Sequence, residues 1–279
     1  MKKWLLLLVA FSTAFYMACG DGGGEGEGGH GGEAKGPELN PDGTYKLSDS
    51  AKQYSTPTPS ELFSTIDEYV PNIRFRYYLK INKNSGYDDD RMIALNLGDR
   101  LAHLVLAVKA KEKQQFLDLA DVAQDLALQI NVSDPLISRK DELKRHVTNN
   151  EWPEVTKIMD ALHEEIVEEV RRKENIGVLA ETGAWLSGLD LVAEAISENY
   201  VVGATKAFYQ PQVINHLINE LNGLESYSKD SPVVKDVIAG LKEIAKNSPA
   251  NEEDTLTKEE VVKLHEITSK LMKGITGGE

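Results

Sequence analysis

Two segments of this chain, residues 90–111 and 175–199, are apolar on nearly every helical face. A helix of that kind has no solvent side, so it belongs at the centre of a domain with other elements wrapped around it. In the first segment Ala94, Gly98 and Ala102 recur every four positions. In the second, Gly177, Ala180, Ala184 and Gly188 form a comparable stripe. Internal glycine costs about 0.8 to 1 kcal/mol of helix propensity, a cost that close backbone packing offsets. The two stripes are therefore expected to cross, with Ala94, Gly98 and Ala102 facing Gly177, Ala184 and Gly188.

The remaining periodicity is helical as well. Pro59 is tolerated in a first turn, with Thr58 as cap, and opens a helix over about 59–69. Residues 71–82 read as a short helix or turn. Asp88, Asp89 and Asp90 place acids at the start of the first apolar helix, where the macrodipole favours them. Phe116, Leu119, Val122, Ala123, Leu126 and Ile130 make a clean apolar face over 112–130. Further helices are expected at about 135–148, 151–173, 205–225, 231–247 and 255–273, the penultimate one capped by Asp230 or Ser231 before Pro232. No alternating segment of useful length remains, so the fold class is all-α, a bundle of about eight helices.

The N-terminus reads differently. Lys2 and Lys3 precede an apolar run from Trp4 to Phe11, and the segment closes on Tyr16-Met17-Ala18-Cys19. The run is shorter than the about 20 residues of a spanning helix and has the layout of an export signal. Ten glycines then lie between Gly20 and Gly36, mixed with Asp21, Glu25, Glu27 and Glu33. That composition gives a flexible linker, continued through Pro37, Pro41, Pro57 and Pro59. The expected organisation is a signal peptide at 1–18, a linker at 19–57, an all-helical domain at 58–274 and a disordered tail at 275–279. Such a linker has a root-mean-square reach of about 30 to 36 Å.

Tyr16-Met17-Ala18-Cys19 resembles the lipobox of bacterial lipoproteins, in which the cysteine sulfur receives a diacylglycerol and the chain is cut before the cysteine. Tyr16 and Met17 depart from the usual Leu and Ser or Ala. The resemblance implies lipidation at Cys19. The acids that follow resemble, in diluted form, the surface-export signal of Bacteroidota-type lipoproteins. In the body, Pro59-Ser60-Glu61, Ala94-Leu95-Asn96-Leu97-Gly98 and Gly183-Ala184-Trp185-Leu186-Ser187-Gly188 resemble strings found in uncharacterised all-helical lipoproteins of Bacteroidota-type bacteria, over about residues 57–273. Asp99-Arg100-Leu101-Ala102 stands where that group often has Tyr-Gly-Ala-Asp. The resemblance implies a fold and an outer-membrane address, and no activity.

Charge and composition narrow the function. The formal net charge is −14, and it becomes two units more negative if Lys2 and Lys3 are removed. Binding to a phosphate backbone needs clustered cations, so no nucleic-acid partner is expected. Attachment to an anionic membrane has to come from lipid on Cys19. The single cysteine excludes an internal disulfide. There is no phosphate-binding Gly-Lys-Ser/Thr loop, His-Glu-x-x-His or Gly-x-Ser-x-Gly. Asp160 and His163, and Glu142 and His146, read as solvated ion pairs on polar helices, and His30 has no metal role.

One polar group stands out against the apolar background: Asn96, Asp99 and His103 on the first buried helix and Glu181 on the second. Unpaired polar groups inside a core cost several kcal/mol, so these must find partners. They form either internal hydrogen bonds or a small pocket between the two helices. The expectation is a non-enzymatic, lipid-anchored envelope protein that binds an envelope protein or small ligand, without metal or cofactor. The alternative is a helical envelope enzyme or a metal- or ligand-binding protein that uses this polar group.

Overall fold

The structure is a computed structural model that describes residues 37–46, 59–70, 73–132, 134–171 and 176–278. Among these residues there is no strand, only an isolated antiparallel bridge between Leu39 and Tyr45. Ten α-helices follow in order: α1 (Pro59–Tyr69), α2 (Asp90–Ala110), α3 (Lys113–Gln129), α4 (Asp134–Thr148), α5 (Trp152–Arg171), α6 (Gly177–Glu198), α7 (Pro211–Gly223), the single-turn α8 (Ser226–Lys229), α9 (Pro232–Asn247) and α10 (Lys258–Thr276). The fold is an all-α bundle. The signal segment, Cys19, the glycine-rich tract and the Thr58 cap lie outside the described residues.

Local chemistry sets the helix ends. Asp89 caps α2, its carboxylate accepting from the Arg91 backbone N–H, which is the expected use of the acidic triplet. Ser231 accepts from the Val234 N–H ahead of Pro232. Thr257 and Glu260 form a reciprocal capping box on α10. Lys111 and Asn150, both in left-handed conformation, end α2 and α4. Pro211 sits in the first turn of α7, so that helix begins there and not at 205; residues Val202–Phe208 are a 3-10 stretch. Among the described residues between α1 and α2, a single 3-10 turn, Phe75–Tyr77, is the helical piece.

The two helices that are apolar on nearly every face, α2 and α6, are the centre. From Ile93 to Ala107 only Val105 of α2 escapes full burial, and the middle of α6 is buried on all sides. They pack on each other most extensively; α3 lies on α2, α10 lies on α6 and α9, and α4 pairs with α5. The expected crossing is present, with one change of register. A Cβ on Gly98 would overlap the Ala180 carbonyl oxygen and lie 2.6 Å from the Ala184 nitrogen. A Cβ on Gly183 would overlap the Leu95 carbonyl and lie 2.9 Å from its Cα. The α6 partner is thus Gly183 with Ala180 and Ala184. Gly188 faces α1 instead, where its Cβ would meet Leu62 Cδ1 at 2.9 Å, and Gly177 is partly exposed at the helix start.

Both ends of the body differ from the sequence expectation. Residues 37–46, assigned to the linker, are a folded clasp. Tyr45 is buried, its hydroxyl donates to the Ala245 carbonyl at 3.1 Å, and its backbone N–H and carbonyl both pair with the Asn215 amide at 2.7 and 2.8 Å. Gly43, at φ 88°, turns the chain over Lys242. The chain from Lys35 to Glu279 is one compact unit. At the other end, Ile275 and Thr276 belong to α10, and Ile275 is buried, so the tail does not begin at 275.

Candidate functional site

Burial of a charged side chain in a central helix forces it to recruit donors and acceptors nearby. On α2 this produces a compact cluster around Asp99. Its carboxylate accepts from the Arg100 guanidinium and lies 3.4 Å from His103 Nδ1, and the Ser187 hydroxyl of α6 approaches the same nitrogen. Asp99 and Arg100 are almost wholly inaccessible, and His103 is 8% exposed. Burial alone would raise the Asp99 pKa, but His103, Arg100 and Ser187 outweigh it and bring it to about 2. Burial pushes the His103 pKa down, and the Asp99 charge and hydrogen bond push it up by more, so the net direction is upward.

The cluster does not have the geometry of a nucleophilic relay. Such a relay places serine on one ring nitrogen and carboxylate on the other. Here Ser187 Oγ, the Asp99 carbonyl and the Asp99 carboxylate all meet His103 at Nδ1, at 3.3, 3.1 and 3.4 Å. His103 Nε2 and Arg100 Nε are buried with no partner.

The four residues grouped from sequence are divided among three environments. Asp99 and His103 are together. Asn96 is a brace for the end of α10: its amide donates to the Ile275 carbonyl and to the Met92 carbonyl, both at 2.8 Å, and its oxygen accepts from the Tyr87 hydroxyl at 2.9 Å. It satisfies a carbonyl of the last helical turn that has no intrahelical donor. Glu181 is one residue past Ala180, about 100° around α6, and turns toward α7, where it lies 3.7 Å from His216 Nε2. The proposed shared pocket of Asn96, Asp99, His103 and Glu181 is therefore not assembled.

Arg100, Ser187 and Tyr87 complete the arrangement, and the sequence pattern alone does not group them with it. Arg100 carried a usable signal, since an arginine inside an apolar helix must have a partner. Ser187 is invisible as a polar group until α6 is docked in register. A second acid, the half-buried Asp190, accepts from Thr268 Oγ1 at 2.6 Å and lies 3.7 Å from His265 Nε2 across the α6–α10 seam; desolvation raises its pKa. His146 pairs with Glu151 at 2.5 Å, and Glu142 with Arg139, which replaces the expected Glu142–His146 pair. Trp185 is buried, its indole N–H donating to Gln210 at 2.9 Å.

A shallow groove of about 250 Å³ lies between α3 and α4, lined by Leu117, Ala120, Leu136 and Leu143 and crossed by the Lys140–Asp121 ion pair. The Asp99 cluster is not part of its lining. Among the described residues, no three His, Cys, Asp or Glu side chains are placed to hold a metal ion, and no helix is long and apolar enough to cross a membrane. No protein-family model, curated protein or solved structure matches this chain.

Proposed function

We propose that this protein is a lipid-anchored, all-helical cell-envelope protein, attached through Cys19, whose body binds an envelope protein or a small ligand. The observation that carries the reading is the placement of the sole cysteine. It follows an apolar export-type segment and precedes a tract of ten glycines among acids. A body of net negative charge gains nothing from an anionic bilayer, so acyl chains are the physical means of attachment, and more than one is needed for stable anchoring. Residues 37–46 are folded onto the body and so belong to it, not to the linker expected from the sequence.

The enzymatic alternative has less support. It relied on Asn96, Asp99, His103 and Glu181 sharing a pocket, and only Asp99 and His103 meet, while Asn96 and Glu181 serve other helix contacts. Feeding labelled palmitate to producing cells tests the anchoring reading: label enters the parent and is absent from Cys19→Ser. Equal labelling of both overturns it.

A further inference from the structure

The seam between α2 and α6 turns polar at His103, one turn along α6 from the Gly183 contact, where Ser187 takes the glycine's place. Three oxygens face Nδ1: Ser187 Oγ, the Asp99 carbonyl and Asp99 Oδ1. A neutral ring with its proton on Nε2 would point the Nδ1 lone pair at two acceptors that have no proton to give, so Nδ1 carries a proton. The remaining variable is Nε2, which is buried and bonded to nothing. A proton there makes the ring a cation 3.4 Å from a carboxylate, in surroundings of low dielectric where the attraction is strong.

The charges around the ring are few. Arg100 shares Asp99 and opposes a second cation; its far side faces the Asn84 carbonyl and the Tyr87 hydroxyl. From α6 the imidazole meets Ser187. Among the described residues no charged side chain of α1, the Phe75–Tyr77 turn, α3, α5, α9 or α10 bonds to it: Asp67 of α1 is engaged by Lys109, and Asp190 of α6 by Thr268 and His265 of α10.

We propose that the α2–α6 seam is a proton-linked clamp, in which doubly protonated His103, paired with Asp99 on α2, holds Ser187 of α6 through Nδ1, and release of the Nε2 proton weakens that donor and loosens the contact between the two central helices. This stands on the geometry of the cluster and does not depend on the envelope reading. The upward shift at His103 agrees with it. A histidine with a raised pKa in the folded chain contributes stability that is fully present below its unfolded value of about 6.5, and that is lost as pH rises through the folded value.

The test uses residues 20–279 expressed without the signal segment. The His103 ring resonance, assigned by its loss in His103→Gln, is followed by NMR from pH 5 to 9, and urea midpoints are read at pH 6 and pH 9. The His103 midpoint is expected above that of free histidine and lower in Ser187→Ala, with a parent urea midpoint that falls from pH 6 to pH 9 and a fall that shrinks in His103→Gln. A ring that titrates at or below the free value overturns the proposal. So does an equal fall in parent and His103→Gln. If His103→Gln does not fold, the parent ring is assigned through bonds by isotope labelling and its titration decides alone.

Discussion

Gly98 and Ala180 bring the backbones of α2 and α6 into contact, since a Cβ at position 98 would overlap the Ala180 carbonyl oxygen. Gly183 does the same to Leu95 from the other side. The pair is reciprocal: each helix presents one glycine to the other's backbone. Backbone cannot rotate away as a side chain can, so added volume here must push the helices apart.

This sets a contrast between chemically identical changes. Gly98→Ala and Gly183→Ala are each expected to cost about 1–3 kcal/mol through overpacking, although alanine is the better helix former by about 1 kcal/mol. Gly274→Ala in α10 meets open space and should be neutral or stabilising, by up to about 1 kcal/mol. Urea melts of the three variants measure this. Gly98→Ala and Gly183→Ala melting at the parent midpoint would mean that the two helices do not touch there.

The clasp makes a second prediction. Tyr45→Phe loses the hydroxyl bond to Ala245 and is expected to cost about 1 kcal/mol, and Tyr45→Ala about 3–5 kcal/mol. A chain beginning at residue 36 should melt like one beginning at residue 20, and a chain beginning at residue 57 should melt earlier. Equal midpoints for all three chains would return residues 37–46 to the tether.

The fold was legible where periodicity was strong and obscure where one residue acted alone. Apolar residues on every face of 90–111 and 175–199 identified the two central helices, and Gly98 was found from its spacing. The stripe from Gly177 to Gly188 misses Gly183, because docking selects the i, i+3, i+4, i+7 series Ala180, Gly183, Ala184 and Ser187. Glu181 went astray for the same reason, by one residue of helical phase. Tyr45 lies in a short turn with no period to read. Its burial depends on Asn215 and Ala245, which are 170 and 200 positions away. Asn96 is conspicuous as a polar residue in an apolar helix, but its role as a brace for α10 depends on where Ile275 comes to rest.

Acid pH probes the Asp99 cluster. A carboxylate whose folded pKa is depressed contributes stability that is present above its unfolded value of about 3.9 and lost as pH falls through the folded value. With Asp99 at about 2, the loss falls between about pH 4 and pH 2. Asp99→Asn should flatten stability across that interval and cost about 3–5 kcal/mol at neutral pH, because Arg100 and His103 remain buried without their carboxylate. Urea midpoints at pH 2.5, 4 and 6 check both statements; a parallel pH dependence in parent and variant would contradict them.

The central claim, that the protein is held at a membrane by lipid on its one cysteine, is tested most directly by the intact mass of the protein extracted with detergent from the membranes of producing cells. The account predicts a chain that begins at Cys19 and carries the mass of a diacylglycerol and an N-linked acyl group, with Cys19→Ser retaining residues 1–18 and carrying neither group. A parent chain with an unmodified Cys19, recovered in the soluble fraction, would contradict it.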